Sequence, residues 1–212
     1  MGEVFILPET TKKPITLIGK RAGICYNSNI SDDDKNYKRG ISCLEKNHGR
    51  LLELVNIEMV IDGYSARVIR EWYTHIGGAP TRLQASTRYI DYSEFDYVTP
   101  PSIADDLRAN FAYTMAINNI QKALTRLEEL EIPREDIAML LPLGMKTKIV
   151  DKRNLRNIID MSRVRLCKRA YWEYRILMHD VLDSLGEIDD EWNYIVTKYC
   201  YPRCKDCKEE CN

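Results

Sequence analysis

The 212-residue sequence has no apolar run long enough to cross a bilayer, and Met1-Gly2-Glu3-Val4-Phe5 has neither the basic flank nor the apolar stretch of a secretory leader. A cytoplasmic protein without a membrane partner is expected. Nor is there an excess of charge: 31 Lys and Arg stand against 32 Asp and Glu, a formal net charge of -1. Nothing global therefore favours nucleic acid, and any anion site must be local. No Gly-x-Gly-x-x-Gly and no Gly-Lys-Ser cradle occurs, so neither common nucleotide-binding turn is present. His48, His75 and His179 lie too far apart for a local metal site or triad. No Ser or Cys occupies a nucleophile elbow, and no pair of acids is placed for hydrolysis. Internal repeats and low-complexity tracts are absent too. Seven cysteines, an odd count with three scattered through the body, suit a reducing compartment better than a disulfide framework.

What is present is the run from Arg70 to Tyr89, which mixes cations, amides, hydroxyls and aromatics around Gly77-Gly78 and follows no hydrophobic period. A loop with so many donors either faces water or grips an anion. Around it the chain fits one domain over residues 1–199, with a Cys-rich tail at 200–212. Val4 to Leu7 is a short apolar run, and Pro14 opens either a helix or a strand. Ser31 with Asp34 has capping-box spacing, which predicts a helix from about Asp32 to Lys46. Val55, Ile57, Met59 and Ile61 alternate with polar residues, a half-buried strand broken at Gly63, and Ser65 then caps a helix over Ala66–Tyr73.

Beyond the loop, Thr87 to Tyr92 is a candidate strand, and Ser102 with Asp105 repeats the capping spacing ahead of a long helix ending near Glu131. Its stripe would be Leu107, Phe111, Met115, Ile120, Leu124 and Leu127. Pro133 opens a turn or two of helix that Pro142 ends. Lys146 to Val150 reads as a strand, Asp151 as the cap of a second long helix reaching Leu185, and Asp189-Asp190-Glu191 as the acidic start of a last one. Few strands and long helices without strand–helix alternation indicate an α+β fold, long helices packed on a small, mainly antiparallel sheet. Arg165 and Arg169, four apart, would be neighbours whose mutual repulsion an anion relieves. Cys200, Cys204, Cys207 and Cys211 are enough in number for zinc, but their spacing is no standard finger, and free thiols fit equally.

Arg70-Glu71-Trp72-Tyr73, His75 and Gln84-Ala85-Ser86-Thr87-Arg88-Tyr89 resemble the signature of the flavin-dependent thymidylate synthases. Pro133-Arg134-Glu135, Leu141-Pro142-Leu143, Arg153 to Asn157, and Arg165 with Ala170-Tyr171-Trp172-Glu173 follow that family's order over roughly Glu53 to Arg175, with a thinner match at His48-Gly49. The resemblance implies a homotetramer with sites between subunits. It also implies FAD as cofactor, and dUMP, methylenetetrahydrofolate and NADPH as substrates. Carried over by position, dUMP would be held by Arg70, Glu71, Gln84, Ser86, Thr87, Arg88 and Arg165, with Arg165 catalytic through the ionised uracil imide. FAD would meet Arg50, Glu53, Thr74, His75, Ile76, Arg82, Gln84, Tyr89, Arg153 and Asn157, and no metal is implied.

The sequence departs from the family pattern at three places. Thr74-His75-Ile76 stands for Arg-His-Arg with about two extra residues following, Ala138 stands for an Arg, and Asp151 for an Asn. Arg82 is near enough to replace one missing cation, and Gly77-Gly78 lets the backbone approach a phosphate or ring. The expected activity is dTMP synthesis. The alternatives are a different C5 product, such as the hydroxymethyl nucleotide, or a non-catalytic nucleotide binder.

Overall fold

The computed structural model describes residues 2–201. Its strands are β1 (Glu3–Ile6), β2 (Asn56–Ser65), β3 (Thr81–Gln84) and β4 (Lys146–Asn154), forming one antiparallel sheet in the order β1-β2-β4-β3. Long helices accompany it, so the fold is α+β. The described residues form two compact units, one of Asp62–Tyr73 and Leu83–Ile149, the other of Gly2–Ile61, Thr74–Arg82 and residues 150–201.

In the second unit α1 (Pro14–Cys25) and α2 (Asp33–Glu45) pack closely, and the short α3 (Gly49–Leu52) follows. Pro14 opens a helix, its fixed φ suiting the first position. α1 has no acid in its first turn; its orphan N–H groups are served instead from the start of α10 (Asp190–Ile195). Lys13 N donates to Asp189 Oδ2 at 2.9 Å and Thr16 N to Glu191 Oε2 at 2.8 Å, while Asp189 Oδ1 caps its own helix through Trp192 N. The cap of α2 is Asp32, accepting from Lys35 N, rather than the expected Ser31, because Ser31 donates its hydroxyl to Asn29. Val55, Ile57, Met59 and Ile61 are fully buried, as their alternation predicts. β2 does not break at Gly63 but runs to Ser65, Gly63 taking a φ of 73° within it.

The expected helix from Asp151 to Leu185 is two helices, α8 (Leu155–Arg165) and α9 (Trp172–Gly186), because β4 continues to Asn154. Thr147, Ile149, Asp151 and Arg153 are the inward positions of that strand. Asp151 and Arg153 fill two of them as an ion pair whose side chains have no exposed surface. Asn154, not Asp151, caps α8, accepting from Asn157 N. Arg165 is the last residue of α8, so it and Arg169 are not neighbours on one helix.

In the first unit Ser65 caps α4 (Ala66–Trp72), accepting from Val68 N at 3.2 Å. The segment around Ser102 forms the short α5 (Pro101–Ala104), and Asp106, bonded to the N–H groups of Arg108 and Ala109, starts α6 (Leu107–Glu129). Phe95, Ile117, Leu124, Ile137 and Met145 form the core here, Ile137 coming from α7 (Arg134–Ile137). Of the expected stripe on α6, Leu124 is buried whereas Leu107, Phe111 and Met115 face outward. Thr87 to Tyr92 is a turn and irregular chain, not a strand; the strand of this region is β3, which ends at Gln84.

Candidate active site

In the second unit the segment after α4 turns at Ile76–Ala79, where Gly78 has a φ of 72° and Ala79 N donates to Ile76 O. A Cβ on Gly78 would lie 2.0 Å from Asn154 Nδ2, so only glycine lets the backbone come this close to the start of α8. Asn154 is fixed in turn, since its Oδ1 accepts from Asn157 N at 2.9 Å. These residues border a cleft of about 230 Å3 with Glu53, Arg156 and Asp160. Glu53 accepts from Arg156 Nη1 at 2.7 Å and from Arg50 Nη1 at 3.1 Å. Arg156 foremost, with Arg50, holds its carboxyl below the ordinary range.

Three further residues of this unit form a stack. Arg165 Nε donates to His75 Nε2 at 2.9 Å, and the guanidinium carbon lies 4.5 Å from the Tyr174 ring centroid. His75 meets the same ring edge-on, with centroids 6.1 Å apart. An Nε2 that accepts must be unprotonated, and desolvation, then the charges of Arg165 and Arg153, lower the His75 pKa to about 4. Arg153 is placed differently from a ligand-facing cation: it is buried, bonded to Asp151 and donating to Asn157 Oδ1 at 2.5 Å. Thr74 and Ile76 are exposed on either side of His75, and Arg82 is half-buried on β3.

In the first unit Gln84 to Tyr89 forms a tethered turn. Ala85 N donates to Lys148 O at 2.9 Å and Gln84 Nε2 to Thr147 Oγ1 at 3.3 Å, which fixes its entry on β4. Arg88 N donates to Ser86 Oγ, and Arg134 Nη1 to Tyr89 O at 3.2 Å. The Arg88 guanidinium pairs with Glu135 at 2.8 Å. Ser86 and Thr87 are half-buried while Arg88 and Tyr89 are exposed. Arg70 is exposed on α4, and Glu71 lies 3.9 Å from Arg67.

The structure thus gathers Glu53, Arg50, Asn157, His75 and Arg165 into the second unit and Gln84 to Tyr89 into the first. Sequence reading missed Asn154, Arg156 and Asp160. Their signal was an Asn with Asn157 three residues on, followed by two charges at i, i+4 on one helical face. Among the described residues no group of three His, Cys, Asp or Glu is placed to hold a metal ion. Cys200 is buried, with its thiol pushed up to about 12 by desolvation, and Cys204, Cys207 and Cys211 lie outside the described residues. No described helix is long and apolar enough to cross a membrane.

The family model described as thymidylate synthase complementing protein matches residues 7–189. The flavin-dependent thymidylate synthase of Pyrococcus furiosus is 30% identical over 210 residues, covering 92% of this chain and 83% of its own. That of Nitratidesulfovibrio vulgaris is 27% identical over 198 residues, covering 84% and 80%. A crystal structure of the flavin-dependent thymidylate synthase from Helicobacter pylori, complexed with FAD and dUMP, shares the fold with a TM-score of 0.73 at 19% identity, covering 94% of this chain and 99% of that one.

Proposed function

Because the chain belongs to the thymidylate synthase complementing protein family, that of the flavin-dependent thymidylate synthases, we propose that it forms dTMP from dUMP, with methylenetetrahydrofolate as one-carbon donor and NADPH as reductant of a bound FAD. The observation that carries this reading is that the matched span holds both the Gln84–Tyr89 turn and Arg165 with its His75 and Tyr174 partners. Bound FAD, once reduced, supplies the hydride that completes the C5 methyl group.

The second unit suits such a cofactor. Gly77-Gly78 leaves a cradle where a side chain would intrude, and Asn154, Asn157 and Arg156 border it with amide and guanidinium groups. Ser86 and Thr87 offer hydroxyls and Arg88 a guanidinium to the nucleotide phosphate. Arg165 stabilises negative charge on the uracil imide, and His75 and Tyr174 hold it so that little reorganisation is needed as that charge develops. Arg153 acts through Asn157, which it holds by a buried bond, and Glu53 fixes Arg50 and Arg156. The active form is a homotetramer in the cytoplasm. The exposed apolar face of α6 supports assembly.

The test is the visible spectrum of the purified protein, its bleaching by NADPH, and the mass of the product from dUMP and methylenetetrahydrofolate. A flavin spectrum and dTMP are expected. A hydroxymethyl product, or protein that takes up no added FAD, overturns the reading. Arg165→Ala should slow turnover by about 100-fold, the scale of losing one charge-stabilising donor, while FAD affinity stays unchanged.

A further inference from the structure

On α8, Arg156, Asp160 and Arg163 follow at i, i+4 and i+7 and so share one face. With Arg50 they line a second cleft, of about 270 Å3, whose apolar wall includes Leu52 and Ile159. Arg156 and Asp160 also border the Gly77-Gly78 cleft, so the two clefts, both within the second unit, adjoin along that face.

The charges around the second cleft are unevenly satisfied. Glu53 accepts from both Arg50 and Arg156. Arg163 is exposed and enters no ion pair among the described residues, and Asp160 pairs with neither neighbouring arginine. Three guanidiniums against the carboxylates of Glu53 and Asp160 leave a formal excess of one positive charge beside a cleft with an apolar wall. Guanidiniums so placed repel one another, and an oxyanion lying between them relieves the repulsion, with planar forks matched to carboxylate or phosphate.

Resting on the dTMP-forming reaction above, we infer that this cleft receives the oxyanion end of a co-substrate whose reacting end lies at the Gly77-Gly78 cleft, and that Arg163 is the residue selecting it. Two co-substrate ends carry this chemistry: the glutamyl carboxylates of the folate tail and the 2′-phosphate of NADPH. A neutral tail gains nothing from Arg163.

The full-length protein, Arg163→Gln and Arg163→Lys decide this. Each would be titrated with NADPH and NADH, and with monoglutamyl and triglutamyl methylenetetrahydrofolate, with calorimetric Kd and KM values read together. The exposed position of Arg163 keeps the expected effect to about five-fold, less than for a buried charged bond. Arg163→Gln should weaken NADPH but not NADH, which assigns the phosphate, or both folates with NADPH and NADH unchanged, which assigns the glutamyl carboxylates that both folates carry. Arg163→Lys should restore most of the loss. Unchanged affinity for all four overturns the inference, and so does an equal loss of FAD affinity, which would make the cleft part of the flavin site. Wild-type protein that makes no dTMP defeats the reaction instead, while the binding titrations still decide the cleft.

Discussion

His75 turns a lone pair toward the cation Arg165, which only the neutral ring can do. Its proton is disfavoured by desolvation first and by Arg165 and Arg153 next, bringing the pKa from 6.5 to about 4. The unfolded ring takes up a proton near pH 6.5 and the folded ring does not until near pH 4. Stability from this residue is therefore complete above about pH 6.5 and falls as pH drops from there to about 4. His75→Gln removes the titrating group and can keep an acceptor oxygen near the Nε2 position, so its loss of stability between pH 7.5 and 5 should be smaller than that of the wild type in urea unfolding. Equal losses would mean that His75 is not the group responsible. His75→Leu, without an acceptor, should lower kcat more than His75→Gln does, because Arg165 then loses the hydrogen bond that His75 accepts from it.

Among the elements, the α1–α2 pair depends on close backbone approach. A Cβ on Gly19 would lie 1.8 Å from Asn36 O, and one on Gly40 2.0 Å from Ile15 O, both against main chain that cannot rotate aside. Gly186, at the end of α9, meets nothing within 4 Å. Alanine favours a helix over glycine by roughly 0.5–1 kcal/mol, so Gly186→Ala should raise the Tm slightly while Gly19→Ala lowers it by several degrees, an overpacking cost of about 1–3 kcal/mol. Matching shifts in a thermal scan would count against this account. Elements whose apolar residues alternate or whose caps stand alone were legible: β2, α4 and α10 follow from Val55–Ile61, Ser65 and Asp189. Of β4 only Lys146 to Val150 was legible; its continuation to Asn154 was not, because Asp151 and Arg153 occupy inward positions and cancel each other's charge, which reads in sequence as polar chain. The same blind spot bears on the site: the resemblance carried a flavin contact onto Arg153, which is buried against Asp151, while Arg156 borders the cleft. The turn from Gln84 to Tyr89 was legible as an anion-binding candidate, but its tethers, Glu135 on Arg88 and Arg134 on Tyr89 O, come from a helix forty-odd residues on.

For the whole molecule the informative surface is apolar. Leu107, Phe111 and Met115 lie four apart on α6 and are 87%, 70% and 42% exposed, while Ile117 and Leu124 of the same helix are buried in their own unit. One helix thus carries two apolar faces, only one of which the described residues cover. A second copy covering the other face accounts for it and accords with the proposed homotetramer. Phe111→Asp places a charge where burial between copies would leave it unpaired, so sedimentation equilibrium should show the assembly giving way toward the 24.7 kDa single chain. In the lone chain Phe111 is exposed, and the substitution should change its own stability by no more than about 0.5 kcal/mol. Loss of assembly with intact helical content is therefore the expected pair of results. If sites lie between subunits, FAD binding should fall with it. A wild-type protein already sedimenting as a single chain rejects the assembly, and a Phe111→Asp protein that keeps the wild-type mass moves the interface away from α6.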